Sequence, residues 1–178
     1  MAALKKLFER LLEIVAMVLM TLLCVIVLVG VAYRTAGAAL VWYDEVASIM
    51  LAWLTYYGSA LAALKRAHIG FPGFVNALPR GQRRALFVLS ELFVIGFFLM
   101  VARVGWQVFE ILEGDALVTL SWVPEQFAQS VIPVGAVLFV LAELLSIPDA
   151  WRAISAGPVH GEHAPTPDAL AKEVLSTE

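Results

Sequence analysis

The stretch VWYDEVASIMLAWLTYYGSALAALKRAH, residues 41–68, decides the fold of this chain. Acidic residues stand at its start and basic residues at its end: Asp44 and Glu45, then Lys65, Arg66 and His68. The 19 residues between these charges, 46–64, are all uncharged. The hydrocarbon core of a bilayer is about 30 Å thick, and an α-helix needs about 20 apolar residues to cross it. The stretch therefore predicts a transmembrane helix.

The two faces of this helix differ in size and polarity. Residues three or four positions apart share a face, and one such set, the small-polar stripe, comprises Asp44, Ser48, Ala52, Thr55, Ser59, Ala62 and Arg66. The opposite set, the large stripe, comprises Val46, Met50, Trp53, Tyr57, Leu61 and Leu64. Helices in membranes associate through close packing by small residues and through interhelical hydrogen bonds. The small-polar stripe thus predicts packing against protein, either within this chain or in a partner subunit.

The composition restricts the class of protein. Of the 178 residues, 61% are hydrophobic and 15% are charged, with a mean hydropathy of +0.86. These values exclude an ordinary soluble domain and a disordered chain. No basic run with interleaved aromatic residues occurs, so nucleic-acid binding has no support. The single cysteine, Cys24, lies in an apolar run, and no nucleophile–base–acid set, phosphate loop or metal-ligand cluster is visible. We expect no catalytic residue, cofactor or metal site.

Hydropathy predicts three further spans. With the first stretch, they give an all-α integral membrane protein with four transmembrane helices, at about residues 14–33, 44–64, 85–105 and 126–147. Residues 1–13 form an N-terminal segment and residues 149–178 a polar tail, with Pro148 and Asp149 ending the last span. The short link at 35–40 predicts a helical hairpin, and Pro133 predicts a kink.

The basic residues predict the orientation. Lysines and arginines concentrate in the N-terminal segment, in the loop between spans two and three, and in the tail, whereas Arg34 and Arg103 lie on the other side. By the positive-inside rule, both termini are cytoplasmic. Three tryptophans then share the outer interface: Trp42, Trp106 and Trp122. Trp53 falls at mid-membrane, where it packs against a partner or faces lipid.

The loop between spans two and three and the acid Glu91 in span three each have more than one interpretation. Apolar residues at helical spacing beside arginines predict a segment on the membrane surface or an irregular loop: Phe71, Phe74, Val75 and Leu78. Glu91 lies inside span three, about 10 Å from Arg84 along a helix. Because an acid at that depth is costly unless it is paired, Glu91 either reaches the near interface or a loop arginine, or forms a proton or ion site.

Several short motifs occur in a recognisable order. They are Arg34, Trp42-Tyr43-Asp44-Glu45, Trp53, Gly58-Ser59-Ala60, Lys65-Arg66-Ala67-His68-Ile69, Leu78-Pro79, Ser121-Trp122-Val123-Pro124 and Ile132-Pro133-Val134-Gly135. Together with four spans, this order resembles the small membrane subunit of the tripartite ATP-independent periplasmic (TRAP) transporters over residues 10–148. One departure is Gly70-Phe71-Pro72-Gly73, which stand where that family often has an acid.

The resemblance implies a non-catalytic small permease subunit in the bacterial inner membrane. In that family, a large multi-span subunit carries the substrate and the coupling sodium ions, and a periplasmic binding protein delivers the substrate, usually an organic acid. The small subunit then serves as a scaffold for the large one. The alternative function is an independent four-span ion-coupled transporter, acting as a homo-oligomer, with Glu91 as its ion site.

Nine residues are candidates for the subunit interface: Trp42, Asp44, Glu45, Ser48, Ala52, Thr55, Ser59, Arg66 and His68. The two acids begin the small-polar stripe at its outer end, where they would position the large subunit or contact the binding protein. Trp42 has the alternative role of an ordinary interfacial tryptophan. Arg66 and His68, at the inner end, would bind lipid headgroups or partner backbone.

Overall fold

The computed structural model describes residues 2–66 and 79–156. It contains the helices α1 (Ala2–Thr35), α2 (Tyr43–Leu64), α3 (Arg80–Ile111), α4 (Glu125–Gln129) and α5 (Val131–Ala156). Within these ranges no β-strand occurs, and only an isolated bridge joins residues 116 and 124. Four of the helical segments are long and apolar enough to cross a membrane. The all-α, four-span fold predicted from hydropathy is therefore confirmed.

The helices extend beyond the predicted spans. α1 begins at Ala2, so the predicted N-terminal segment continues the first helix. Pro148 and Asp149, predicted to end the last span, lie inside α5, which continues to Ala156. Proline removes one backbone donor, and two contacts just after Pro148 join this part of α5 to α1 and α3. Lys5 Nζ lies 2.5 Å from Asp149 Oδ2, and the rings of Trp151 and Phe87 are 6.0 Å apart.

The kink predicted at Pro133 is a break between α4 and α5. Pro133 has no N–H for the carbonyl of Gln129, four residues earlier, and its ring clashes with that carbonyl in a continuous helix. α4 ends at Gln129, and α5 starts at Val131, so Ser130 lies at the break.

The predicted hairpin of α1 and α2 is confirmed. The two helices pack against each other, and the turn between them places Gly37 at a φ of +79°, which glycine adopts without strain. At the same end, Gly30 packs directly against the ring of Tyr43. Helices α1 and α2 are thus antiparallel neighbours.

α5 is the central helix of the chain. α1 packs on α2, α2 packs on α5, and α5 packs on α3. Half of the most apolar part of α5 is buried inside the chain, against 6% for α1 and for α3. The core comprises Leu12, Ala60, Ala63, Leu64, Phe139 and Ala142. Because the principal contacts form a row, α1, α3 and one face of α2 keep large uncovered surfaces.

Candidate functional site: a subunit interface along helix α2

The two stripes of α2 have different environments. The large stripe faces the rest of the chain, with Leu64 buried and its other members half-buried. The half of the small-polar stripe nearer the start of α2, termed the outer half after the predicted orientation, is exposed and consists of Asp44, Ser48, Ala52 and Thr55. Its inner half, Ser59, Ala62 and Arg66, is half-buried. Packing within the described chain therefore covers the large stripe and leaves the outer small-polar stripe free.

The hydroxyl groups of this stripe are satisfied within the helix. Ser48 Oγ donates to the carbonyl of Asp44, and Thr55 Oγ1 donates to the carbonyl of Leu51, each at 2.8 Å. Ser59 Oγ donates to the carbonyl of Tyr56, also at 2.8 Å. Small side chains with satisfied donors allow another backbone to approach closely without leaving a polar group unpaired.

At the outer end of α2, Glu45 is used inside the chain. Its carboxylate accepts hydrogen bonds from the backbone N–H groups of Val118 and Thr119, at 3.0 and 2.9 Å, and from the Thr119 hydroxyl. Hydrogen bonds to an ionised group are stronger than neutral ones. Glu45 thus fixes the connector between α3 and α4, residues 112–124, to the start of α2. No periodic pattern links Glu45 to this loop, which lies 73 residues away in the sequence.

The connector is compact and has an apolar tip. The Leu117 N–H donates to the Val123 carbonyl at 3.1 Å, and the Glu125 N–H donates to the Asp115 carbonyl at 3.0 Å. At the tip, Val118 is 93% exposed and Trp122 is 80% exposed. The three tryptophans predicted for the outer interface all lie at this end of the helices: Trp42, Trp106 and Trp122.

Trp53 packs within the chain, contrary to both predicted alternatives of a partner or lipid contact. Its indole Nε1 donates to the carbonyl of Ala128 at 3.0 Å. Its ring lies 5.0 Å from that of Phe127 and 6.5 Å from that of Tyr57. Ala128 lies two residues before the break at Ser130, so Trp53 donates a hydrogen bond to a backbone carbonyl beside the interrupted helix.

At the inner end, four residues form the Arg66 cluster: Arg66, Glu91, Glu143 and Ser146. Arg66 Nη1 donates to Glu91 Oε1 at 2.5 Å, and its Nε donates to Ser146 Oγ at 2.9 Å. Arg66 Nη2 lies 3.4 Å from Glu143 Oε1. Glu91 and Glu143 are only 8% and 6% exposed. The guanidinium also lies 5.3 Å from the ring centroid of Phe87, at cation–π distance.

The Arg66 cluster resolves the position of Glu91. Of the alternatives predicted for Glu91, the structure shows pairing with an arginine of the loop that begins after span two, Arg66. Glu143 was not predicted to join this site. Counted from the inner ends of the antiparallel spans three and four, however, Glu91 and Glu143 lie at a similar depth. The described polar contacts of Arg66 are with this chain, and its binding to lipid headgroups stays a prediction. His68 lies outside the described residues.

Next to this buried cluster, Lys65 makes exposed ion pairs. Its Nζ lies 2.5 Å from Glu13 Oε1 and 3.3 Å from Glu9 Oε1, which ties α2 to α1. The hydrogen bond to Glu13, and then that to Glu9, raise the pKa of Lys65 above its ordinary value. Solvent screens such pairs, so they contribute little to stability.

The described residues offer little for ligand chemistry. Among them, no group of three or more histidine, cysteine, aspartate or glutamate side chains is placed to hold a metal ion. A groove of about 210 Å³ between α1, α2 and the connector has an apolar lining that includes Leu19, Met50 and Leu120.

Comparison with known families gives one match. A family model described as "Tripartite ATP-independent periplasmic transporters, DctQ component" matches residues 23–153, more than half of the chain. The matched range contains α2 to α5 except the last residues of α5, and it includes the small-polar stripe and the Arg66 cluster. Among curated proteins, nothing matches the chain.

Proposed function

The chain belongs to the DctQ component family of the TRAP transporters, and from this premise we propose that it is the non-catalytic scaffold of such a transporter. As a small permease subunit, it holds the large membrane subunit in the bacterial inner membrane. The assembled transporter takes up organic acids together with sodium ions, and a periplasmic binding protein delivers the organic acid. The family match and the motif order support the uptake function, which resides in the other subunits.

The observation that carries the proposal is the uncovered outer half of the small-polar stripe. Asp44, Ser48, Ala52 and Thr55 are exposed, although small residues are the ones that permit close helix packing. Lipid gains nothing from a small-polar face, whereas a partner helix gains close contact. We place the large subunit along this face, with Trp42 and Ser59 at its margins. His68 keeps its predicted interface role. Glu45 and Arg66 support the face from within the chain.

The distribution of charge supports cytoplasmic termini. Basic residues cluster at the end of the molecule where α1 begins and α2 finishes, and Arg34 and Arg103 lie towards the opposite end. Under the positive-inside rule, the connector then faces the periplasm. Its exposed tip and Asp44 are available there to the binding protein, while the inner basic residues contact membrane lipid headgroups.

The alternative, an independent ion-coupled transporter with Glu91 as its site, gains no support from the described contacts. A cation at Glu91 would compete with the Arg66 guanidinium, which already lies 2.5 Å from the carboxylate. Glu91→Gln separates the two functions, because it would abolish ion-coupled transport by this chain alone.

The proposal is tested by isolating the C-terminally tagged chain from native membranes in mild detergent. Recovery of a larger multi-span protein in a fixed ratio, with no substrate uptake by the purified small chain in liposomes, is the expected result. Recovery of this chain by itself, as a monomer or homodimer that takes up substrate, would refute the scaffold role.

A further inference from the structure

We infer that Arg66 is a positioning residue that fixes the inner end of α3 to α2 and α5, and that it does so by pairing with two buried acidic side chains, Glu91 and Glu143. The inference concerns the chain by itself and does not depend on the proposed scaffold role.

The helix row explains why α3 needs such a contact. α3 packs extensively on α5, whereas α2 and α3 are not among the closely packed pairs. Arg66 lies two residues after the end of α2 and reaches Glu91 on α3 as well as Glu143 and Ser146 on α5. One guanidinium thus joins three helices at the same level.

The backbone of Arg66 indicates that its surroundings determine its conformation. Its φ is +53°, in the left-handed region that residues other than glycine and asparagine adopt rarely. Such a conformation persists where neighbouring contacts over-determine it. Here the contacts are the ion pair with Glu91, the hydrogen bond to Ser146 Oγ and the Phe87 ring. Ser146 is itself fully buried and donates to the Glu143 carbonyl at 2.8 Å.

The buried acids beside Arg66 determine how its removal affects the stability of the chain. Both Glu91 and Glu143 are more than nine-tenths buried, and both contact the same guanidinium. Removing one partner of a buried ion pair leaves an uncompensated charge, whereas removing the whole set is often nearly neutral. Arg66→Met leaves two carboxylates facing each other. Replacing all three charged groups removes that repulsion.

Lys65 provides a matched control. It is adjacent to Arg66, carries the same charge and also makes a 2.5 Å ion pair, with Glu13. Its side chain and that of Glu13 are 42% and 36% exposed, so water solvates the carboxylate that remains when the lysine is replaced. The lysine and arginine substitutions therefore differ chiefly in the burial of the acidic partners, since the Arg66 side chain is itself 31% exposed.

The test compares Arg66→Met, the triple variant Arg66→Met/Glu91→Gln/Glu143→Gln, and Lys65→Met, each as the full chain in lipid nanodiscs. We expect Arg66→Met to lower the unfolding temperature by about 10 °C, the triple variant to regain most of that loss, and Lys65→Met to resemble the unsubstituted chain. If Arg66→Met yields no folded chain, recovery of a folded triple variant gives the same support. A triple variant as unstable as Arg66→Met would overturn the inference.

A second readout reports position separately from stability. Spin labels at Thr55 on α2 and Ser90 on α3, both exposed, are introduced in a Cys24→Ser background. Well below the unfolding temperature, Arg66→Met should broaden the distance distribution between the labels, and the triple variant should narrow it again. Unchanged distributions in all variants would show that Arg66 does not position α3.

Discussion

The two faces of α2 have nearly the same length and opposite surroundings. The large stripe lies against the chain's own residues, whereas the outer small-polar stripe has no cover in the described structure. Both faces cross the same apolar layer, so hydropathy does not separate them. Side-chain size does: large side chains fill space between helices of this chain, and small ones leave space for a neighbour that the chain does not supply.

The chain shows elsewhere what small residues accomplish at a contact. At Gly135 on α5, an added Cβ would lie 2.7 Å from Tyr56 Cβ, and at Gly105 on α3 it would lie 2.7 Å from Ile132 Cγ2. Close helix approaches within the molecule therefore occur at residues without bulk. An uncovered face built from serine, alanine and threonine fits an approach of the same kind by a partner.

The largest effect is expected from filling the uncovered face. Ala52→Trp places a large ring where we propose the partner helix lies, so recovery of the larger subunit should fall at least about tenfold, the equivalent of 1.4 kcal/mol. The unfolding temperature of the chain itself should not change, since Ala52 is exposed. Leu92→Trp on α3, at a side chain that is 68% exposed, is the control and should leave recovery intact. Equal recovery in both variants would remove the distinction between the faces.

The packed face should respond in the opposite way. Gly135→Ala forces the added methyl group against Tyr56, and such overpacking costs about 1–3 kcal/mol of unfolding free energy. The matched variant is Gly58→Ala on α2, where nothing lies within 4 Å of the added atom. It should be neutral or stabilising by up to about 1 kcal/mol, because alanine favours the helix. Thermal unfolding of both variants in nanodiscs tests this difference, and equal losses would contradict it.

The outer end of α2 offers a finer comparison between adjacent acids. Glu45→Gln weakens the contacts to Val118 and Thr119, because an amide is a poorer acceptor than a carboxylate. Limited proteolysis should then cleave the connector several-fold faster. Asp44→Asn should leave the cleavage rate unchanged and instead reduce recovery of the partner. Faster cleavage in Asp44→Asn alone would show that the roles are exchanged.

The smallest effect is expected at Trp53. Trp53→Phe removes the hydrogen bond to the Ala128 carbonyl and keeps an aromatic ring beside Phe127. One such bond contributes about 1 kcal/mol, so the unfolding temperature should fall slightly and recovery of the complex should not change. A large loss of recovery would show that Trp53 reaches the partner after all.

These comparisons show how far the sequence determines the molecule. Uncharged runs predicted the four spans, and the spacing on α2 distinguished its two stripes, because both signals are local and periodic. The contacts of Glu45 with Thr119 and of Trp53 with Ala128 join residues more than seventy positions apart. No periodicity encodes such pairs. Their geometry depends on the row of helices and on the break at Ser130.

The Arg66 cluster could be predicted in part from the sequence. The sequence showed that Glu91 needs a partner, since an unpaired acid at that depth is costly. No pattern within a single span indicates that Glu143 takes part. The antiparallel arrangement of α3 and α5 brings Glu91 and Glu143 to the same guanidinium. The continuation of α5 past Pro148 was not predicted for a related reason, because the contacts that Asp149 and Trp151 make there join residues far apart in the sequence.

The most direct test of the subunit interface is photo-crosslinking in native membranes. A photoreactive amino acid is placed at position 52 on the small-polar stripe or at position 92 on α3, in otherwise unchanged chains. The account predicts a crosslink to the large membrane subunit from position 52 and lipid adducts from position 92. A large-subunit crosslink from position 92, with only lipid adducts from position 52, would contradict it.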